Sequence, residues 1–170
     1  KITAIRYLRE KEIPVLGICF GMQLMIVEFA RNAVGLPNAN STEIDPNTPH
    51  PVIDLLPEQR NVKEIGGTLR LGALKILIKP GTLAWKIYSS TEVYERHRHR
   101  YGVNQKYIDI LEEAGMQISG FSEEEFAEII ELKNSKRFYL GIQAHPEFKS
   151  KPLSPSPVYM YFIQHLASRI

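Results

Sequence analysis

The 170-residue sequence has one cysteine, one tryptophan and almost no excess of charge, with 21 basic against 19 acidic side chains. A lone cysteine excludes an internal disulfide, and a reducing cytoplasm is the expected compartment. A formal net charge of +2 is too small to argue for a nucleic-acid or anionic-membrane partner, and neither is expected. No apolar run approaches the roughly 18 residues that a membrane span needs. The opening stretch KITAIRYLREKE is charged and amphipathic, unlike a signal peptide. Internal repeats and low-complexity tracts are also missing.

What remains is an ordinary globular composition, 44% hydrophobic and 24% charged, at a length that suits one domain over residues 1–170 with a sizeable core. Ile2, Ile5 and Leu8 fall at helical spacing, so the sequence opens inside a helix. We therefore expect a fragment that lacks its N-terminal part.

Ile13 to Ile18 is a short apolar run without polar alternation, which predicts a buried central strand of a parallel sheet. Leu24, Val27, Ala30 and Val34 then predict a helix stopping at Gly35. Helix, strand, turn and helix in this order predict an α/β fold. Residues 36–51 are rich in Pro, Asn, Ser and Thr and read as a long polar loop. ALKILI, EVYERHRHRYGV, MQISGFS, AEIIELK and FYLGIQA are strand candidates; TLAWKIY and YIDILEEAG are helix candidates. A last helix is predicted from Ser156 as N-cap and Pro157 as its first residue.

Gly17-Ile18-Cys19-Phe20-Gly21 places a potential nucleophile between two glycines, at the junction of a predicted strand and a predicted helix. The tight turn calls for small flanking residues. A helix N-terminus favours a thiolate, and the Phe20 N–H is available to a developing oxyanion. The five residues alone fit a buried structural cysteine equally well. A cysteine hydrolase also needs a base and a group that orients it. Gln143-Ala144-His145-Pro146-Glu147 follows an apolar strand, and extended geometry would put His145 and Glu147 on one face. Taken alone, His-Pro-Glu fits a surface turn better. His50, His97, His99 and His165 are scattered, show no zinc spacing, and no metal is expected. In Glu95-Arg-His-Arg-His-Arg-Tyr101, an extended chain sets Arg96, Arg98 and Arg100 on one face. Such a run suits a solvated edge best; a carboxylate grip is an alternative, and the near-neutral charge disfavours nucleic acid.

The string GICFGMQ resembles the nucleophile motif of class I glutamine amidotransferases, G-[IV]-C-x-G-x-Q, and GIQAHPE resembles their second signature. Ala144 stands where that family usually has an aromatic residue. Within the family, the strings Asn38-Ala-Asn-Ser-Thr-Glu43, Gly66-Gly-Thr-Leu-Arg-Leu-Gly72 and ERHRHRY followed by Val103-Asn104 resemble CTP synthases. The resemblance implies a three-layer α/β sandwich with a central, mostly parallel, flavodoxin-like sheet. It implies Cys19 as nucleophile, His145 as base and Glu147 as its orienting acid. It further implies glutamine binding by Phe20, Gly21, Met22 and Gln23, by Glu43 at the α-ammonium and by Arg100 at the α-carboxylate. No cofactor is implied for this domain. An N-terminal synthase domain of the same polypeptide would use ATP and Mg²⁺ to aminate UTP, with GTP as allosteric activator, in a tetrameric homo-oligomer. An upstream Gly-rich turn, the family's second oxyanion donor, lies outside this sequence. The alternatives are another class I amidotransferase, of the GMP or anthranilate synthase type, or a non-catalytic module on the same fold.

Overall fold

A computed structural model describes residues 1–56 and 70–167. Helix α1 (Ile2–Glu10) lays Ile2, Ile5 and Leu8 against the core, as their spacing predicts. Strand β1 (Val15–Ile18) leads into helix α2 (Phe20–Phe29). The helical path continues through a wide turn, Ala30–Val34, and stops at Gly35, whose φ of 83° is a left-handed cap suited to glycine. Glu28 is fully buried on α2 and is held by Arg9 of α1 through two bonds, of 2.8 and 2.9 Å. A buried carboxylate needs that forked partner, and the pair clamps α1 onto α2.

The polar stretch 36–51 is a loop for most of its length, interrupted by β2 (Asn40–Ser41) and ending in β3 (Pro51–Leu55). Next come β4 (Arg70–Ile78), α3 (Leu83–Tyr88), β5 (Glu92–His99), β6 (Tyr101–Val103) and α4 (Ile108–Glu113). The chain closes with β7 (Met116–Phe121), β8 (Ala127–Leu132), β9 (Tyr139–Ile142) and α5 (Pro157–Ala167). Each follows a predicted segment. At α5 the Ser156 carbonyl accepts from the N–H groups of Tyr159 and Met160, while its hydroxyl has no partner among the described residues. Residues 66–69 of the Gly66–Gly72 string lie outside the described residues; the rest opens β4.

Among the described residues the main sheet has six strands in the order β1-β9-β8-β7-β4-β5, and a three-stranded sheet, β2-β3-β6, stands beside it. One face of the main sheet packs Met22, Met25 and Ile26 of α2 with Leu111 of α4; the other packs Ala84 and Ile87 of α3 with Val158 of α5. This is the expected α/β sandwich. The sheet itself is mixed rather than mostly parallel: β1 and β9 run parallel, and the remaining pairings of the main sheet are antiparallel. Short connections join β7 to β8 and β8 to β9, and such connections reverse the chain, whereas parallel neighbours need a crossover. Among the described residues β1 pairs with β9 alone, at the edge of the sheet. An apolar run reports burial of both faces, not the number of neighbouring strands.

Candidate active site

β1 and β9 pair in parallel register, Gly17 opposite Gly141 and Ile18 opposite Ile142. Both chains therefore leave the sheet at the same end, where α/β sheets place their sites. Cys19 is the first residue beyond β1, its N–H held by the Ile142 carbonyl at 2.8 Å. Its backbone is strained, with φ 50° and ψ −107°. This strain turns the chain from strand into α2 and makes Cys19 the helix N-cap. A Cβ on Gly17 would lie 2.2 Å from Met25 Sδ and 2.9 Å from the backbone of Gly21 and Met22, so the turn requires the first glycine. The second is not required on that ground: a Cβ on Gly21 would meet nothing within 4 Å.

Burial pushes the Cys19 thiol up from its ordinary value. The Phe20 N–H and the Gln143 amide pull it back, and the carboxylates of Glu147 and Glu43 oppose them. Cys19 sits at the helix N-terminus as expected, and desolvation is the largest influence on its thiol.

His145 follows β9 by the same logic, its N–H bonded to the Arg96 carbonyl of β5 at 2.7 Å. Its Nδ1 lies 2.5 Å from Glu147 Oε1, and the Tyr159 hydroxyl donates to Glu147 Oε2 at 3.5 Å. Because a carboxylate only accepts, Nδ1 carries the proton and Nε2 is left to exchange one. The pairing is the expected one, but a turn of 3-10 helix, Pro146–Phe148, makes it rather than an extended strand.

A cavity of about 760 Å³ opens beside the cysteine, lined by Cys19, Phe20, Gln23, Glu43, Arg98 and Arg100 among others. The elbow, the loop after β2 and the corner between β5 and β6 thus bring thiol, carboxylate and guanidinium to one opening. Met22 is fully buried in the core and does not line it. Gln23 Nε2 donates to the Tyr101 carbonyl at 3.0 Å and to Gln143 Oε1 at 3.2 Å. Gln23 Oε1 is buried without a partner among the described residues.

The RHRHR run divides by strand alternation. Arg96 and Arg98 are exposed, whereas His97 and His99 are buried on the opposite face. His99 Nδ1 donates to the Tyr101 carbonyl at 2.9 Å, and His97 Nδ1 lies 3.1 Å from His99 Nε2. Desolvation holds both neutral, His97 pushed down to about 3 and His99 to about 4. With Glu128 they offer three ligand atoms within 4.8 Å of one another. The Arg70 guanidinium lies 3.7 Å from Glu128, and a cation already beside the carboxylate disfavours a metal. The sequence reading overlooked this buried pair and Gln143. Period-two alternation in a strand was the available signal for the histidines; Gln143 stands in the second signature string, which carries no stated role for it.

The sequence model of the glutamine amidotransferase class-I family matches residues 1–165. The chain belongs to this family. Its similarity within the family is to CTP synthases, as the sequence strings imply. It is 60% identical to the CTP synthase of Sulfurisphaera tokodaii over 98% of this chain, and 62% identical to that of Saccharolobus solfataricus over 99%. It spans 31% of the length of either relative. The Trypanosoma brucei CTPS glutaminase domain with bound acivicin superposes with a TM-score of 0.91 at 37% identity, covering 98% of this chain and 65% of that one.

Proposed function

We propose that this chain is the glutaminase part of a CTP synthase and hydrolyses the side-chain amide of glutamine through a thioester on Cys19. The observation that supports this reading best is the cavity that sets the Cys19 thiol, the Glu43 carboxylate and the Arg100 guanidinium around one opening. Glutamine is a zwitterion with a carboxamide at its far end. Glu43 matches its ammonium, and the fork of Arg100 matches its planar carboxylate.

In the proposed reaction His145 Nε2 takes the thiol proton as the Cys19 sulfur adds to the amide carbon, and the Phe20 N–H stabilises the oxyanion. His145 Nε2 protonates the departing nitrogen, ammonia leaves, and a γ-glutamyl thioester remains. His145 then takes a proton from water, whose oxygen attacks the thioester and releases glutamate and the thiol. Glu147 holds the imidazole tautomer. Gln23 lines the opening beside the bound amino acid. Ammonia passes to a synthase domain of the same polypeptide, where ATP and Mg²⁺ drive amination of UTP under GTP activation. The relatives' greater length supports such a second domain. Among the described residues no helix is long and apolar enough to cross a membrane; the cytoplasmic location and the homo-oligomer of this proposal rest on the resemblance to CTP synthases.

The test is Cys19→Ala in the full polypeptide. Glutamine-dependent CTP formation should vanish while ammonia-dependent formation persists. Equal loss of both activities would overturn the reading.

A further inference from the structure

One buried side chain touches the reacting sulfur and has no part in the reaction above. Gln143 is fully buried at the end of β9, and its Nε2 lies 3.5 Å from Cys19 Sγ. Which end of an amide faces its neighbour follows from groups whose polarity is certain. The Tyr101 carbonyl can only accept, so the group of Gln23 that meets it at 3.0 Å is Nε2. The same Nε2 lies 3.2 Å from Gln143, which must therefore present Oε1. That leaves Gln143 Nε2 facing the sulfur. The backbone locks this arrangement, because the Gln143 N–H bonds the Glu128 carbonyl at 2.8 Å. Gln23 thus donates both to a backbone carbonyl and to Gln143, which in turn donates to the nucleophile.

We propose that Gln143 is a further catalytic residue of this site, its side-chain amide donating a hydrogen bond that orients the Cys19 sulfur and favours its anionic form. The assignment rests on Cys19 being the nucleophile. A donor matters there because burial first, then the carboxylates of Glu147 on the turn after β9 and Glu43 on the loop after β2, disfavour charge on the sulfur. The Phe20 N–H of α2 is the companion donor, and it is the one an oxyanion would share. Gln143 is fully buried and does not line the cavity; its contact at this site is with the sulfur.

The experiment measures carboxamidomethylation of Cys19 by iodoacetamide against pH in the full polypeptide, for wild type, Gln143→Met and Gln143→Glu. Cys19→Ala supplies the background. Met keeps the bulk without the donor; Glu keeps the acceptor toward Gln23 and sets an oxygen against the sulfur. A hydrogen bond to an ionised group is strong enough that its loss should lower alkylation near neutral pH by about tenfold in Gln143→Met. Gln143→Glu should fall at least as far, and both should converge on the wild-type rate at alkaline pH. A variant that has merely lost packing would change the plateau without moving the midpoint. Midpoints coincident with wild type in a folded variant of either kind would overturn the role. Failure of the Cys19 assignment looks different: wild-type alkylation indistinguishable from the Cys19→Ala background, or glutamine-dependent activity surviving in that variant.

Discussion

His145 and Glu147 face each other across a single proline, with Nδ1 2.5 Å from Oε1. The backbone between them turns, His145 taking φ −112° and ψ 84° before the 3-10 helix of Pro146–Phe148. Pro146 suits the first position of that turn and keeps His145 out of helical angles. The carboxylate therefore comes round to Nδ1, and Nε2 stays available for proton transfer.

Glu147→Gln preserves shape but removes the charge that selects the tautomer. Glutamine-dependent turnover should fall on the order of 10²–10⁴-fold, with KM little changed. Steady-state glutaminase kinetics check this; a kcat within twofold of wild type would remove Glu147 from the mechanism.

Arg100→Ala should lower kcat/KM for glutamine about tenfold to a hundredfold, mainly through KM, because the fork is made in ground and transition states alike. Lysine should restore only part of it. Arg98 lines the same cavity, so Arg98→Ala should show a smaller loss in the same direction. Ammonia-dependent synthesis should be unaffected by either change. Unaltered glutamine kinetics in Arg100→Ala would remove Arg100 from the substrate grip.

The buried histidines link stability to pH. His97 and His99 are held near 3 and near 4 in the fold, below the ordinary value of 6.5. The unfolded chain binds protons that the folded chain refuses, so stability falls as pH drops from about 6.5 toward about 4. Each histidine contributes a slope of up to about 1.4 kcal/mol per pH unit in that window. Denaturant melts at pH 7.5, 6 and 5 should show the decline, and His99→Asn should flatten it. Equal slopes in both proteins would contradict the assignment.

The elbow glycines should differ. Gly17→Ala drives a Cβ into Met25 Sδ and the backbone of α2, and a loss of about 1–3 kcal/mol is expected. Gly21→Ala adds a methyl to open space on a helix and should raise stability by up to about 1 kcal/mol. Thermal melts of the two variants check the order, and an equal loss in both would show that the turn is tight on both sides.

The sequence by itself marked most of the elements and the proposed reacting groups. Apolar spacing located α1 and α2, Gly35 marked the helix stop, and the two signature strings named Cys19, His145 and Glu147. These are local properties, set by backbone sterics and by residue types within a few positions of one another. Only the tertiary structure decided what those groups meet. The parallel register of β1 on β9 brings Cys19 and His145 to one end of the sheet. The corner between β5 and β6 swings Arg100 toward Glu43, and it sends His97 and His99 into the interior that their basic neighbours disguised. Gln143 stands in the second signature string, but its role could not be read before folding, because its amide acquires a direction only from the Tyr101 carbonyl and Gln23, which are distant in sequence. Strand pairing and burial are long-range events, and the polarity of a buried hydrogen-bond chain exists only once all of its members are in place.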